Sequence, residues 1–157
     1  MVTSAARHDN PVTLMAASDV SQGKPDFSGE WVLNRADSTL SAGADTVRSG
    51  RWLIEHREPT FRQKAAFLFE SGSRDYEYEL RCDGGETVST HDGGRTISSA
   101  KWEGSALVVM FRTEHPGGGM TVSFRFELLD EGRRLRAAEE LRGTDHDQDN
   151  VWIFERR

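Results

Sequence analysis

The sequence predicts an all-β fold, an antiparallel up-and-down closed β-barrel of about eight to ten strands. From Arg51 onward, apolar and polar residues alternate with a period of two, and no helical apolar stripe competes with this pattern. Short turns containing Gly, Asp or Pro join the alternating segments and favour sequential antiparallel pairing. A meander of this length normally closes, because closure removes the exposed sheet edges.

The first strand is predicted from about Ser28 to Arg35. Within it, Gly29 lets two backbone segments approach closely, and Trp31 brings a large apolar surface to bury. We therefore expect Trp31 to lie across the floor of the barrel. The small polar residues at 36–49 predict a loop with room for at most one short helical turn.

The remaining segments predict strands whose inward faces can be assigned by alternation. The clearest is Arg74–Cys82, in which aromatic and apolar residues oppose charged ones. Only in Ala106–Thr113 are both faces apolar, so its inward face stays open. The other predicted strands are Arg51–Arg57, Thr60–Glu70, two weaker ones around His91–Gly94, Met120–Leu129, one around Leu135–Leu141, and Asn150–Arg156, which should pair with the first strand.

The turn lengths predict strand registers. The turn before the penultimate strand would place Glu139 opposite Phe124. The turn near Ser71 would place Tyr78 opposite Phe67.

A length of 157 residues fits one domain. The first residues show little periodicity, and we expect a flexible tail at 1–24 followed by the barrel domain at 25–157. The apolar run Val12–Ala17 is short for a signal peptide. No clear leader is therefore predicted, and a cytoplasmic and an exported location both stay open.

Charge and composition exclude several classes of partner. The formal net charge of −6 and the pI near 5.4 argue against nucleic acid and against anionic membrane surfaces. No apolar run approaches the roughly 20 residues of a membrane-spanning helix. The single cysteine, Cys82, has no partner for an internal disulfide. We expect a soluble monomer or homodimer whose partner is a small apolar or amphiphilic ligand.

The opening Phe-Ser-Gly-Glu-Trp-Val-Leu-Asn at Phe27–Asn34 resembles the first strand of lipocalin-like and fatty-acid-binding-protein-like barrels, the calycin group. It is especially similar to small bacterial lipocalin-like proteins. Ile54–His56, the strand end Trp102–Gly104 and the terminal apolar-aromatic strand match in the same order. The resemblance thus spans roughly Asp26 to the C-terminus and implies a barrel that holds small apolar or amphiphilic molecules.

The resemblance also implies an arginine stacked on the first-strand tryptophan, a role open to Arg156 or Arg142. The sequence differs from the eukaryotic fatty-acid-binding pattern in one respect. The sequence has no pair of helices between the first two strands, so entry through a helical portal is not expected.

Polar residues on inward faces are the candidate functional groups. Glu139 lies between Ala137 and Leu141, and a buried carboxylate costs several kcal/mol unless it is paired or solvated. Glu139 therefore faces a ligand or water, binds an internal partner such as His56, or lies at the rim. His56 is open to three roles: a base, a haem ligand, or a hydrogen-bonded histidine at a strand end.

No metal site and no cofactor are predicted. Asp145–Asp149 has alternating carboxylates like a calcium loop, but Asn150 stands where a glycine should follow and Arg156 where the bidentate glutamate belongs. We interpret this segment as a solvated hairpin tip.

Three hypotheses follow. The first is a barrel that binds a small hydrophobic or amphiphilic molecule, with Glu139, Gln63 and His56 fixing its orientation. The second is a cofactor-free enzyme of isomerase, lyase or cyclase type, with Glu139 and His56 as acid and base and tyrosine hydroxyls holding an oxyanion. The third is a solid barrel that acts through its surface. The predicted ligand-binding residues are Trp52, Gln63, Phe67, Phe69, Tyr76, Tyr78, Trp102, Phe124 and Phe126.

Overall fold

The structure, a computed structural model, describes residues 24–143 and 147–157. Nearly all of the predicted tail at 1–24, and the start of the calcium-like segment at Asp145, lie outside these ranges. The described strands are β1 Gly29–Leu33, β2 Val47–Arg57, β3 Thr60–Phe69, β4 Gly72–Arg81, β5 Thr87–His91, β6 Gly94–Glu103, β7 Ala106–His115, β8 Gly118–Leu129, β9 Arg134–Gly143 and β10 Asp147–Arg156.

These strands form one antiparallel sheet in the order β4-β3-β2-β1-β10-β9-β8-β7-β6-β5. Strand β1 pairs with β10, as predicted, so the first and last described strands are neighbours in the middle of the sheet. The sheet edges are β4 and β5. A bridge between Asp83 and Lys101, and a 2.8 Å hydrogen bond from the Gly84 N–H to the Ala100 carbonyl, join the segment after β4 to β6. The barrel is therefore nearly closed, which confirms the predicted fold.

One predicted register is confirmed and one is wrong. Glu139 lies opposite Phe124, as the β8–β9 turn predicts. Tyr78 lies opposite Gln63 instead of Phe67, because only two residues separate β3 from β4. The difference is an even number of residues, so the predicted inward face of β4 is unchanged.

The half of the barrel near the start of β1 is filled with large side chains and is called the closed end below. Trp31 is completely buried there, and its indole N–H donates to the Phe27 carbonyl at 3.0 Å. The guanidinium of Arg156 lies 4.3 Å from the centre of the Trp31 ring. Of the two candidates for this stacking, Arg156 takes the role, whereas Arg142 pairs with Asp149. Other residues of the closed end are Phe61, Phe126, Leu135 and Phe154.

The open question about the β7 segment is resolved in favour of the odd-numbered residues. Leu107 and Val109 are completely buried, and Phe111 packs against the core. Met110, on the opposite face, is exposed.

The loop between β1 and β2 contains one short helical turn, Ala44–Thr46, as predicted. Thr39 bridges to Val151, and Leu40 packs against the core. The loop thus follows the barrel wall without a pair of helices. No helix in the described part of the chain is long and apolar enough to cross a membrane.

Gly50 of β2 lies opposite Phe67 of β3 and is buried. A Cβ atom at this position would lie 2.6 Å from the Phe67 ring and 3.3 Å from Leu33. The missing side chain is therefore what allows the Phe67 ring to lie flat against the wall.

Candidate functional site

A cavity of about 440 Å³ occupies the half of the barrel away from the closed end and opens to solvent. Its wall is largely aromatic, and polar groups come from several strands. The lining residues are Trp52, Phe67, Phe69, Arg74, Tyr76, Glu77, Tyr78, Thr96, Phe111, Thr113, Val122, Phe124, Glu139 and Trp152.

Six of the nine predicted ligand-binding residues line this cavity and three do not. Gln63 is buried below it, where its side-chain oxygen accepts a hydrogen bond from the Tyr78 hydroxyl. Phe126 is buried in the closed end, and Trp102 stacks there on Phe27. Alternation correctly places all three side chains inside the barrel, but it carries no information on their height along the barrel axis.

Trp52 separates the cavity from the closed end. Its ring stacks on Phe154 with centroids 3.9 Å apart and an interplanar angle of 20°. Three further rings contact it edge-on: Phe67, Phe124 and Phe126. Trp52 is thus both a central core residue and the floor of the cavity.

Glu139 lines the cavity, with one carboxylate oxygen engaged. Its Oε1 atom accepts hydrogen bonds from Asn150 Nδ2 at 3.0 Å and Trp152 Nε1 at 2.9 Å. Among the described residues, no donor reaches its Oε2 atom. Asn150 Oδ1 in turn accepts from the backbone N–H of Ser41 at 2.7 Å. The carboxylate is therefore fixed in orientation by strand β10 and connected to the β1–β2 loop.

The two tyrosines of β4 stay protonated over the physiological range. Burial, followed by the negative charge of Glu139, raises the pKa of Tyr76. Tyr76 nevertheless exposes 37% of its surface, because the cavity beside it is open to water. Burial raises the pKa of Tyr78 well above its usual value. Both side chains therefore present neutral hydroxyl groups.

Two buried donors lack hydrogen-bond partners among the described residues, Trp52 Nε1 and Gln63 Nε2. The Trp52 indole interacts with the Tyr76 hydroxyl but does not reach hydrogen-bond geometry. A buried donor without a hydrogen-bond partner lowers the stability of the folded state by roughly 1–3 kcal/mol. The Trp52 N–H lies buried near the Tyr76 hydroxyl at the floor of the cavity.

His56 lies at the closed end and not in the cavity. Its ring packs against Phe27, Phe61 and Trp102. The structure does not bring His56 and Glu139 together, so the acid–base pair of the enzyme hypothesis is not formed.

The hydrogen bonds of His56 define its tautomer. The backbone N–H of Phe27 donates to Nδ1 at 3.2 Å, so Nδ1 carries no proton. The Nε2 atom therefore carries the proton and donates to Glu58 at 2.5 Å. Trp102 Nε1 donates to the other oxygen of Glu58 at 3.1 Å. Sequence reasoning did not single out Glu58, because it lies in a turn outside the alternating pattern.

His56, Glu58 and Cys82 offer ligand atoms within 4.8 Å of one another, the spacing of a metal site. In the structure these groups are held by burial and by hydrogen bonds. Burial, followed by the Glu58 charge, raises the pKa of the Cys82 thiol to about 12. The Nε2 atom of His56 is also protonated, and moving its proton to Nδ1 would break the bond from Phe27. We interpret the cluster as a hydrogen-bonded closure of the barrel end.

Replacing Glu58 with glutamine is expected to reduce the loss of unfolding free energy that the protein undergoes as the pH falls into the acid range. Burial acts to raise the pKa of Glu58, but hydrogen bonds from His56 and Trp102 outweigh it, and the pKa lies below 4.5. The contribution of Glu58 is therefore complete above pH 4.5 and is lost as the pH falls through the folded-state pKa. The side chain is 43% exposed, so solvent screening limits this contribution to less than about 1 kcal/mol.

The check is urea unfolding between about pH 6 and pH 3. The E58Q variant should lose less stability over this range than the parent protein. An acid dependence as steep as that of the parent would contradict the assigned role of Glu58.

No family model and no curated protein sequence matches the chain. Several solved structures, however, are similar to the chain in fold. A secretory abundant heat soluble protein from Ramazzottius varieornatus is similar with a TM-score of 0.58 at 8% identity, over 83% of this chain and 94% of that one. Human cRBP IV is similar with a TM-score of 0.54 at 19% identity, over 85% and 99%.

The zebrafish ileal bile acid-binding protein complexed with cholic acid is similar with a TM-score of 0.51 at 14% identity, over 83% of this chain and 98% of that one. At these identities the likeness concerns the fold. The ten described strands, their up-and-down order and the nearly closed wall agree with it. The chain has the fold of the lipocalin-like and fatty-acid-binding-protein-like calycin barrels.

Proposed function

We propose that the protein binds a small hydrophobic or amphiphilic molecule in the barrel cavity. The observation that carries this proposal is the aromatic cavity of about 440 Å³ above Trp52. Natural small-molecule sites have volumes of roughly 300–1,000 Å³ and combine apolar walls with a few oriented polar groups. The polar groups here include the Glu139 carboxylate and the Tyr76 hydroxyl.

The comparisons support this proposal through the shared fold. The zebrafish neighbour is named as a bile acid-binding protein and is complexed with cholic acid, which is amphiphilic. A barrel of the same architecture with an interior hollow is suited to a ligand of that general kind. The identity of the ligand does not follow from the fold.

The geometry favours binding over the enzyme hypothesis. Acid–base catalysis by the predicted pair requires both groups within reach of one substrate. His56 packs at the closed end, where Phe27 and Glu58 occupy both ring nitrogens. Of the two predicted acid–base residues, only Glu139 faces the cavity.

This proposal is tested by placing a larger side chain on the cavity wall. Val122 of β8 lines the cavity, and its neighbour Thr121 lies on the opposite face of the same strand. We expect Val122→Trp to weaken binding of naphthylethanol by tenfold or more, about 1.4 kcal/mol, because the added indole occupies ligand space. The matched control, Thr121→Trp, should bind like the parent protein.

Isothermal titration calorimetry measures both affinities. Equal weakening by the two variants would place the probe outside the cavity. Unchanged binding in both would also contradict the proposed location.

A further inference from the structure

Glu139 is an unusual group for a cavity whose wall is largely aromatic. A carboxylate among aromatic rings loses hydration, and this loss is offset only where donors approach it. Asn150 and Trp152 both donate to its Oε1 atom, at 3.0 and 2.9 Å. Among residues 24–143 and 147–157, nothing donates to Oε2. One half of the carboxylate is thus held by the barrel, and the other half has room for a donor from a ligand.

The carboxylate lies in a cavity whose wall is largely aromatic. Trp152 bonds to Glu139 through its indole N–H, and its ring lies 5.5 Å from that of Phe67. Phe67 also stacks with Tyr76 at 6.4 Å. Aromatic faces attract an ammonium group through their quadrupoles, more strongly where water is excluded. Rings and a carboxylate together are therefore complementary to a positive charge.

The charged side chains at the cavity lie at different depths. Two charged side chains face the cavity, the carboxylate of Glu139 and the guanidinium of Arg74, whereas the Glu77 carboxylate pairs with Arg62 on the outer face at 3.2 Å. Arg74 lies 5.1 Å from the ring centre of Phe69, the last residue of β3, and so at the mouth of the cavity. The chain as a whole carries a net charge of −6. An anionic head group at the depth of Glu139 would meet a like charge.

We propose that the cavity selects apolar amines, with the protonated nitrogen bound to the free oxygen of Glu139 and the hydrocarbon part against Trp52 and Phe124. This inference rests on the proposed binding function and assigns its ligand class. The ammonium donates to Oε2 and lies among the aromatic side chains that line the cavity. A neutral analogue of the same shape keeps the apolar contacts and loses the ionic one.

The test compares three probes with the same ring system by isothermal titration calorimetry: naphthylethylamine, naphthylethanol and naphthylacetic acid. The parent protein should bind the amine at least tenfold more tightly than the alcohol, and the acid most weakly. In the Glu139→Gln variant, amine and alcohol should bind with similar affinity, so that the preference for the amine of at least tenfold disappears. Glutamine keeps an acceptor for Asn150 and Trp152, so the local hydrogen bonds are retained.

The Glu139→Asp variant is the charge-preserving control. It keeps the negative charge one methylene further back and should retain part of the preference for the amine. If the glutamine variant does not fold, the order of the three probes on the parent protein still decides the question.

The outcomes separate this inference from the proposed function. Binding of the alcohol with no preference for the amine, or a preference that survives in Glu139→Gln, would overturn the ligand class alone. Failure of all three probes to bind the parent protein would overturn the proposed function together with it.

Discussion

Replacing Trp52 with alanine is expected to lower the free energy of unfolding by about 3–5 kcal/mol, the usual range for a buried tryptophan. Trp52 is 1% exposed, and its ring contacts four phenylalanine rings, with the centroid of Phe154 at 3.9 Å. Its removal joins the ligand cavity to new space beneath it. For a domain of this size, the melting temperature should fall by roughly 10 °C.

Urea unfolding measures the change, and Leu53→Ala is the matched control. Leu53 is the next residue on β2 but is 45% exposed on the outer face, so the control should lose less than about 1 kcal/mol. Similar losses in the two variants would show that Trp52 is not the central packing residue. Because Trp52 is also the cavity floor, the alanine variant should bind naphthylethanol with altered affinity.

Replacing Phe27 with alanine is expected to have an effect of similar size, about 3–5 kcal/mol, at the other end of the barrel. Phe27 precedes β1 and belongs to no strand, yet it is 0% exposed. Its ring stacks on His56 and Trp102, and it contacts Phe61 and Phe126. The closed end is filled by this side chain, and its removal leaves a hole that strands cannot collapse to fill.

The control is Val88→Ala, which truncates a side chain that is 54% exposed on the edge strand β5. The Phe27 variant should differ from the Trp52 variant in ligand binding, since Phe27 does not line the cavity. We expect its affinity for naphthylethanol to stay within about twofold of the parent value at a temperature where it is folded. A stability loss near that of Val88→Ala would contradict the packing role.

Except in β7, where both faces are apolar, alternation was sufficient to predict which side chains face inward. Burial on one face and water on the other impose a period of two, and this period survives even where a register is wrong. Tyr78 illustrates this: its predicted partner was displaced by an even number of residues, yet its side chain still lines the cavity. Glu139 was identified for the same reason, as a charge on an apolar face.

Height along the barrel axis was beyond sequence reasoning. Trp102 and Trp52 carry the same inward signal, but one packs at the closed end and the other faces the cavity. The strand tilt and the offset between neighbouring strands decide this, and both depend on pairing across the whole sheet. For the same reason Glu139 and His56, which looked equally placed for chemistry, lie in different halves of the molecule.

Gly50 has a consequence for the dimensions of the ligand site, although it does not line it. A methyl group there would lie 2.6 Å from the Phe67 ring, which lines the cavity and would have to shift. The width of the cavity thus depends on the absence of a side chain at position 50 of the neighbouring strand β2. A substitution at position 50 would therefore change the size of ligand that the cavity accepts. It would do so without replacing any side chain that lines the cavity.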